Sequence, residues 1–412
     1  MRRADSSTKI WARTVICLGP ALTFGCAPLG KDWPLQRGEH MNYGNAEART
    51  VIAPRELHRW ELSSATPSHL RHQNRVESFL QDSTIAFCGL ITGHNSPPGL
   101  WVLFDCLNGR IERKMPGGMF NVAAWGYFKT ISPDGRFVVW NHHDMDSIRI
   151  EVYHTQLGQV VRRLAWDHDT FSFHWFPDSQ RFIANTTSGL YIFDVNARAQ
   201  DFGPVGKIAT RGYFCMIFSA DGKRLVTGSL DVTVWDVATG KPLAKSTPVV
   251  DDFWRPGPRR PDIFVSPDGE EGVVGDDGYI HVGYDSLAMP DDGRCIVAGA
   301  NNGRIFVFDA STGAVLAEHR EKDGWRNDIT SVSMTADGER VLFSTKKGVV
   351  RLWEWRSNRI VASFGQEFDL KDHRVGRGRI VKAVFALQGT HAVVARDDGT
   401  VALYELVAAS GH

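Results

Sequence analysis

A short turn pattern recurs through most of this 412-residue chain. Each copy has an apolar residue, two further positions and then Asp-Gly or a close variant, followed by two apolar runs of which the second ends in an aromatic-acidic pair. The copies begin near Asp82, Asp134, Asp178, Asp221, Asp292, Asp337 and Gln388. Three of the intervals between consecutive turns are 43, 44 and 45 residues long. So regular a period constrains the fold, because it indicates one structural unit repeated along the chain.

The residues between the turns predict strands rather than helices. Each interval holds three or four segments in which apolar and polar residues alternate, and none holds an amphipathic stretch of helical length. The 40 Gly and 18 Pro residues agree with a fold that has many tight turns. A four-stranded unit of about 40–45 residues is one blade of a β-propeller. The seven copies therefore predict an all-β, seven-bladed β-propeller over residues 50–406.

One further turn leaves the number of blades open between seven and eight. Ser266-Pro267-Asp268-Gly269 lies only 24 positions before Asp292, which is too few for another complete blade. We interpret residues 249–279 as an insertion, and the alternative is a ring of eight blades.

The two ends of the repeat region predict how the ring closes. After Leu406 only the tail 407–412 remains, which is too short for the outer strand of the last blade. An unpaired strand edge would expose backbone hydrogen-bonding groups. The apolar segment 50–62, which includes Leu57 and Trp60, has no blade of its own. We expect it to pair with the last blade and close the ring.

These repeats resemble the WD-repeat family. The match is most direct at Trp235-Asp236, and Phe replaces Trp at Phe193-Asp194 and Phe308-Asp309. The family's Gly-His pair is absent at the expected register, since Gly93-His94 falls in a different loop. Packing of apolar side chains between blades must therefore replace the family's His-Asp network. The resemblance, together with the lack of a catalytic motif, implies a non-catalytic scaffold for protein-protein interaction that needs no cofactor.

Loop residues supply the candidate contacts with a protein or peptide partner. Trp and Arg are enriched in binding hot spots, and prolines stiffen the insertion that carries Trp254. The candidates are Trp125, Trp166, Trp254, Arg259, Arg260, Trp325, His373 and Arg374. The alternatives are that Trp254 only packs its loop onto the rim and that the loop around His373 is a solvated basic segment.

A propeller enzyme, such as a metal-dependent lactonase or a hydrolase acting at the channel mouth, is the alternative function. The weak metal-ligand candidates, which we place in two neighbouring loops, are His142, His143, Asp167 and His168. The polar residues of the predicted innermost strands are Glu77, His174, Asp285 and Lys382. The sequence contains no G-x-S-x-G, Walker or H-E-x-x-H motif, so we expect no catalytic residues, metal or cofactor.

Charge and cysteine content limit the remaining classes. Lys and Arg total 47 and Asp and Glu total 47, whereas a nucleic-acid-binding chain normally has a basic surplus. We therefore expect no nucleic-acid partner. Cys88 and Cys106 flank a predicted hairpin turn, and they are either two buried thiols or a disulfide.

The N-terminal segment leaves localisation open between export and the cytoplasm. Residues 1–26 show the basic, apolar, small-residue order of a secretory leader, and 27–49 form a linker. The apolar run is shorter than the roughly 20 residues of a membrane-spanning helix. Cys26 resembles the lipid-bearing cysteine of bacterial lipoproteins, which implies a lipid anchor. Alternatively, Met41 is the true start and the protein is cytoplasmic.

Overall fold

A computed structural model describes most of the chain from Ile52 to Ala408 as an almost purely β structure. The described residues are 52–62, 75–80, 83–90, 100–116, 129–144, 147–168, 170–210, 215–249, 255–256, 264–265, 271–272, 282–321, 327–365, 367 and 379–408. The predicted leader, the linker and Cys26 lie outside them. The part of the chain described here includes no helix long and apolar enough to cross a membrane.

Six blades are four-stranded antiparallel sheets that take consecutive strands in chain order. Blades 1 and 2 contain β2 (Arg75–Phe79), β3 (Ile85–Leu90), β4 (Leu100–Asp105), β5 (Arg110–Pro116), β6 (Lys129–Ile131), β7 (Phe137–Asp144), β8 (Ser147–His154) and β9 (Gln159–Trp166). Blades 3 and 4 contain β10 (Thr170–Trp175), β11 (Arg181–Thr186), β12 (Gly189–Asp194), β13 (Pro204–Ile208), β14 (Cys215–Phe218), β15 (Arg224–Gly228), β16 (Val232–Asp236) and β17 (Pro242–Lys245). Blades 5 and 6 contain β21 (Tyr284–Ala288), β22 (Cys295–Ala300), β23 (Arg304–Asp309), β24 (Val315–Arg320), β25 (Ile329–Met334), β26 (Arg340–Thr345), β27 (Val349–Glu354) and β28 (Arg359–Gly365).

Blade 7 combines the two ends of the ring, as the sequence predicts. Its strands β29 (Ile380–Ala386), β30 (His391–Arg396) and β31 (Thr400–Ala408) are completed by β1 (Ile52–Glu61), which pairs antiparallel with β31. In the ladder of β1 and β31, Glu56 pairs with Tyr404 and His58 pairs with Leu403, so that Leu57 between them forms a bulge. The outer strand of blade 4 skips one residue in the same way, so β1 reproduces the bulge of an ordinary outer strand.

Seven apolar cores hold the ring together, one at each junction between neighbouring blades. The core between blades 3 and 4 joins Phe176 to Phe218, whose ring centroids lie 4.0 Å apart. The core between blades 7 and 1 joins Val393 to Val102 and closes the circle. The other five cores occupy the remaining junctions in order. Since each blade is covered on both faces, its middle strands are apolar on both sides, and β22 is buried throughout.

The fold has seven blades, because the segment between blades 4 and 5 does not separate them. Its described strands are β18 (Arg255–Pro256), β19 (Phe264–Val265) and β20 (Glu271–Gly272), which form a small antiparallel sheet of their own. Blades 4 and 5 pack directly on each other through Val234 and Phe306. The alternative of eight blades is therefore wrong.

Candidate functional site

The first strands of the blades surround a central channel. Strand β2 contacts β6, β6 contacts β10, and β21 contacts β25, so these inner strands form a circle around one axis. A cavity of about 440 Å³ lies where the inner strands of blades 1 to 5 lead into their first hairpin turns. We call this end of the channel the turn mouth. A cavity of this volume falls within the range of ligand-binding pockets.

Large apolar side chains and polar groups contribute almost equally to the wall of the cavity. Its large side chains are Phe79, Trp175, Met216, Ile217, Phe218 and Met289, and its hairpin turns contribute Pro133, Pro177, Ala220 and Pro290. Aromatic rings and thioethers offer large contact areas to a ligand, and thioethers also adapt to its shape. The sequence patterns did not single out any of these side chains, because each taken alone matches an ordinary core or turn residue.

The mouth turns of blades 2 to 5 are held by hydrogen bonds within their own short sequences. In blade 4, Asp221 Oδ1 accepts from Ser219 Oγ at 2.6 Å and from the backbone N–H of Lys223 at 3.0 Å. These two bonds, that from Ser219 first, lower the pKa of Asp221. Gly222 follows with φ +67°, a conformation that favours glycine. The turn therefore holds Ala220 at the mouth without help from a ligand.

His174 is the imidazole of the cavity wall, and its hydrogen bonds determine which ring nitrogen carries the proton. Its Nε2 lies 3.0 Å from Ser172 Oγ, which also accepts from Asn185 Nδ2 at 3.2 Å. We assign the Ser172 hydroxyl hydrogen to the bond with Nε2, which leaves the ring hydrogen on Nδ1. Burial, and then the charge of Lys382, lower the pKa of His174 to about 4, so the ring is neutral at pH 7. Among the described residues, Nδ1 has no hydrogen-bond partner.

One charged side chain lies at the rim of this site, and another lies near its wall. Asp291 is exposed in the first turn of blade 5, where it lines the cavity. In the part of the chain that the structure describes, its carboxylate makes no ion pair or hydrogen bond. Lys382 reaches from blade 7 to within 5.9 Å of the Phe79 ring centroid. The rim therefore favours a cationic group, whereas Lys382 disfavours one beside His174.

The four polar residues predicted on innermost strands do lie on the first strands of their blades. They are Glu77 on β2, His174 on β10, Asp285 on β21 and Lys382 on β29. Of the three whose side chains the structure describes, His174, Asp285 and Lys382, only His174 is found in the wall of the cavity. Asp285 occupies a bulge, and desolvation followed by the charge of Asp328 raises its pKa. The predicted set is therefore distributed along the channel rather than gathered at one point.

Comparison with known proteins gives no relative from which a function could be transferred. No protein-family model matches the chain, and no curated protein matches it. Membership of the WD-repeat family remains the prediction made from the repeats. The function has to be inferred from the side chains of this chain alone.

Most of the predicted partner-binding residues lie outside the described residues. These are Trp125, Trp254, Arg259, Arg260, Trp325, His373 and Arg374. Trp166 is described, and it is 8% exposed at the end of β9, in the core between blades 2 and 3. The accessible rings beside it are those of His168 and Tyr191, which stack with centroids 5.1 Å apart.

The structure describes Asp167 and His168 fully, but only the backbone of the other two metal-ligand candidates, His142 and His143. The prediction of a loop at His142 and His143 is wrong for the backbone, because both lie in β7, opposite Arg149 and Ile148 in β8. Their side chains are outside the described set. Asp167 and His168 follow β9, and the Asp167 side chain is 88% exposed. Among the side chains described, no group of three or more His, Cys, Asp or Glu residues could hold a metal ion.

Trp166, the described partner-binding candidate, and the cavity belong to opposite ends of the channel. In an antiparallel blade, the first and third turns lie at one end, and the second turn and the connection to the next blade lie at the other. Trp166 ends β9 and precedes the connection from blade 2 to blade 3, whereas first turns bound the cavity. Among the described residues, the cavity therefore lies away from the partner-binding candidate that the sequence indicates.

Proposed function

We propose that this protein is a WD-repeat-like β-propeller that acts as a non-catalytic scaffold for a protein or peptide partner. The observation that carries this proposal is the cavity at the turn mouth, where large apolar side chains lie beside polar groups, within a ring that seven inter-blade cores support. A pocket that is already formed lowers the ordering cost of binding. The loops that carry Trp254 and Arg259 remain predicted contacts at the other end.

A hydrolase is the second candidate, because Ser172 Oγ and His174 Nε2 lie 3.0 Å apart. This is the spacing of a nucleophile and its general base. A general base must take up a proton, and burial with the nearby Lys382 lowers the pKa of His174 to about 4, which opposes that step. The charge environment of His174 therefore favours binding over hydrolysis.

Site-specific photo-crosslinking in the native organism tests the scaffold proposal. A benzophenone amino acid replaces Ala220 at the turn mouth, Leu230 near the opposite end or Ile111 on the outer strand of blade 1. We expect discrete protein adducts from at least one end of the channel, and direct binding of the purified adduct protein to the propeller. If no position gives an adduct that binds after purification, the scaffold proposal is wrong.

The hydrolase alternative has its own readout in the purified protein. A fluorophosphonate probe labels serines that a neighbouring base activates. Labelling of wild-type protein that is lost in Ser172→Ala would favour the hydrolase, and we expect no such labelling. Ser188→Ala, which alters a hydroxyl near Tyr191 instead, is the matched control.

A further inference from the structure

We infer that the turn-mouth cavity accepts one large apolar or aromatic side chain of a partner polypeptide, with a peptide carbonyl bonded to His174 and a basic residue beside Asp291. The inference rests on the proposed function and adds the chemistry of the bound segment. It concerns the end of the channel opposite to Trp166.

The size and wall of the cavity favour a single anchoring side chain. About 440 Å³ has room for a Trp, Phe, Leu or Met side chain together with part of its backbone. The wall has aromatic rings on two sides, from Phe79 and Trp175, and thioethers from Met216 and Met289. Anchors of this kind, buried in a pocket, dominate the energetics of many protein interfaces.

The N–H group of the neutral His174 ring favours a ligand that carries a hydrogen-bond acceptor. Its Nε2 is engaged by Ser172, so Nδ1–H is the group that the ring offers to the cavity. A neutral N–H donor pairs well with a backbone carbonyl, which every peptide supplies next to its side chain. A peptide thus satisfies this donor without bringing a charge near Lys382.

The rim supplies the charge preference. Asp291 is exposed at the edge of the cavity, and no described residue neutralises it. A Lys or Arg next to the anchor would place its charge at the rim, close to this carboxylate. A short segment with an apolar anchor and an adjacent basic residue therefore matches both parts of the site.

Selection from a phage-displayed heptapeptide library tests the inference, with the full-length protein as target. Enriched peptides are then synthesised, and their Kd values for purified variants are measured by titration calorimetry. Ala220→Trp fills the mouth, and Ala336→Trp places the same bulk in the corresponding turn of blade 6, away from the cavity. Asp291→Lys reverses the rim charge, and Glu112→Lys makes the same change on the outer strand of blade 1.

We expect the enriched peptides to share a large apolar residue next to Lys or Arg. Ala220→Trp and Asp291→Lys should each weaken binding about tenfold or more, whereas Ala336→Trp and Glu112→Lys should leave Kd unchanged. His174→Phe should weaken binding, and His174→Asn, which keeps an N–H donor near the Nδ1 position, should restore part of it. Thermal melts check that each variant is folded. If Ala220→Trp does not fold, Asp291→Lys still tests the site, because it alters only an exposed side chain.

Two outcomes would overturn the inference. If the enriched peptides bind Ala220→Trp and Asp291→Lys as tightly as wild type, their site is elsewhere, although the scaffold proposal gains support. If no peptide is enriched over the uncoated support, the cavity does not take peptides. The crosslinking experiment then decides the scaffold proposal separately, because it does not depend on the cavity.

Discussion

The Tyr404 hydroxyl donates a hydrogen bond to Glu56 Oε2 at 2.7 Å and so joins residues 348 positions apart in the chain. Glu56 also accepts from Arg59 at 2.9 and 2.7 Å. On the same pair of strands, Arg55 and Glu405 form an ion pair of 2.7 Å. Beside the backbone ladder of β1 and β31, these side chains attach the N-terminal strand to the last blade.

Deletion of residues 50–62 should lower the melting temperature by roughly 5–10 °C and promote aggregation, because β31 becomes an open edge and the blade 7–1 core loses Leu62 and Trp60. Tyr404→Phe should cost only about 1 kcal/mol, the typical contribution of one hydrogen bond. Thermal melts of both variants are the measurement. An unchanged melt of the deletion variant would show that β1 does not close the ring.

Two turn glycines should respond differently to the same substitution. Gly313 and Gly158 occupy corresponding third turns with φ +75° and +70°, but a Cβ on Gly313 would lie 2.5 Å from the Lys245 carbonyl oxygen of the neighbouring blade. At Gly158 the nearest atom is Tyr153 Oη at 3.8 Å. We expect Gly158→Ala to cost about 1 kcal/mol and Gly313→Ala about 3 kcal/mol or more, measured by chemical denaturation. If both substitutions lowered the free energy of unfolding equally, the neighbouring blade would be able to move away from the new Cβ at little cost.

His174 should make the fold less stable in mild acid. Its pKa is about 4 in the folded protein against an ordinary value of 6.5, so the unfolded chain binds more protons between these values. Stability is therefore fully present above pH 6.5 and falls as the pH is lowered towards 4. We expect wild type to lose about 1–2 kcal/mol more than His174→Gln between pH 7 and pH 5, from denaturant titrations at each pH. Parallel pH profiles for the two proteins would contradict this.

The four described cysteines should react slowly with a thiol reagent. Cys88, Cys106, Cys215 and Cys295 are all free and buried. Burial raises the pKa of Cys295 to about 11 and also raises that of Cys215, so little thiolate forms at pH 8. We expect a colorimetric disulfide reagent to modify them only in concentrated guanidinium chloride. All six thiols of the unfolded full-length chain should then react, and a count of four would indicate one disulfide.

The fold could be predicted because its decisive signals are local. In blades 1, 3, 4 and 5, the acidic residue that ends the third strand holds the next turn by itself: in blade 4, Asp236 accepts from the Thr239 N–H and Oγ1, both at 2.7 Å. Such a motif needs no distant partner, so its period along the sequence gives the number of blades. The clasp was predictable for a related reason, since the apolar segment around Leu57 had no other strand to pair with.

The cavity could not be predicted, because its wall exists only after five blades have been arranged around the axis. Phe79 and Met289 are far apart in the chain, and no spacing rule joins them.

Trp166 shows the reverse case, a residue that the sequence favours for binding but that the fold buries. It stands where a strand meets a loop, which favours a binding role, but packing against Phe193 at a centroid distance of 5.4 Å places it in a core.

The register of the clasp brings the two ends of the ring together, since Ile52 and Ala408 are direct partners in the ladder. A short linker could therefore join these two positions and turn the propeller into a closed loop of polypeptide. New termini could then be opened in any connection between two blades, giving circular permutants in which every blade is built from one continuous segment. Such permutants would separate the contribution of the interwoven seventh blade from that of the seven apolar junctions.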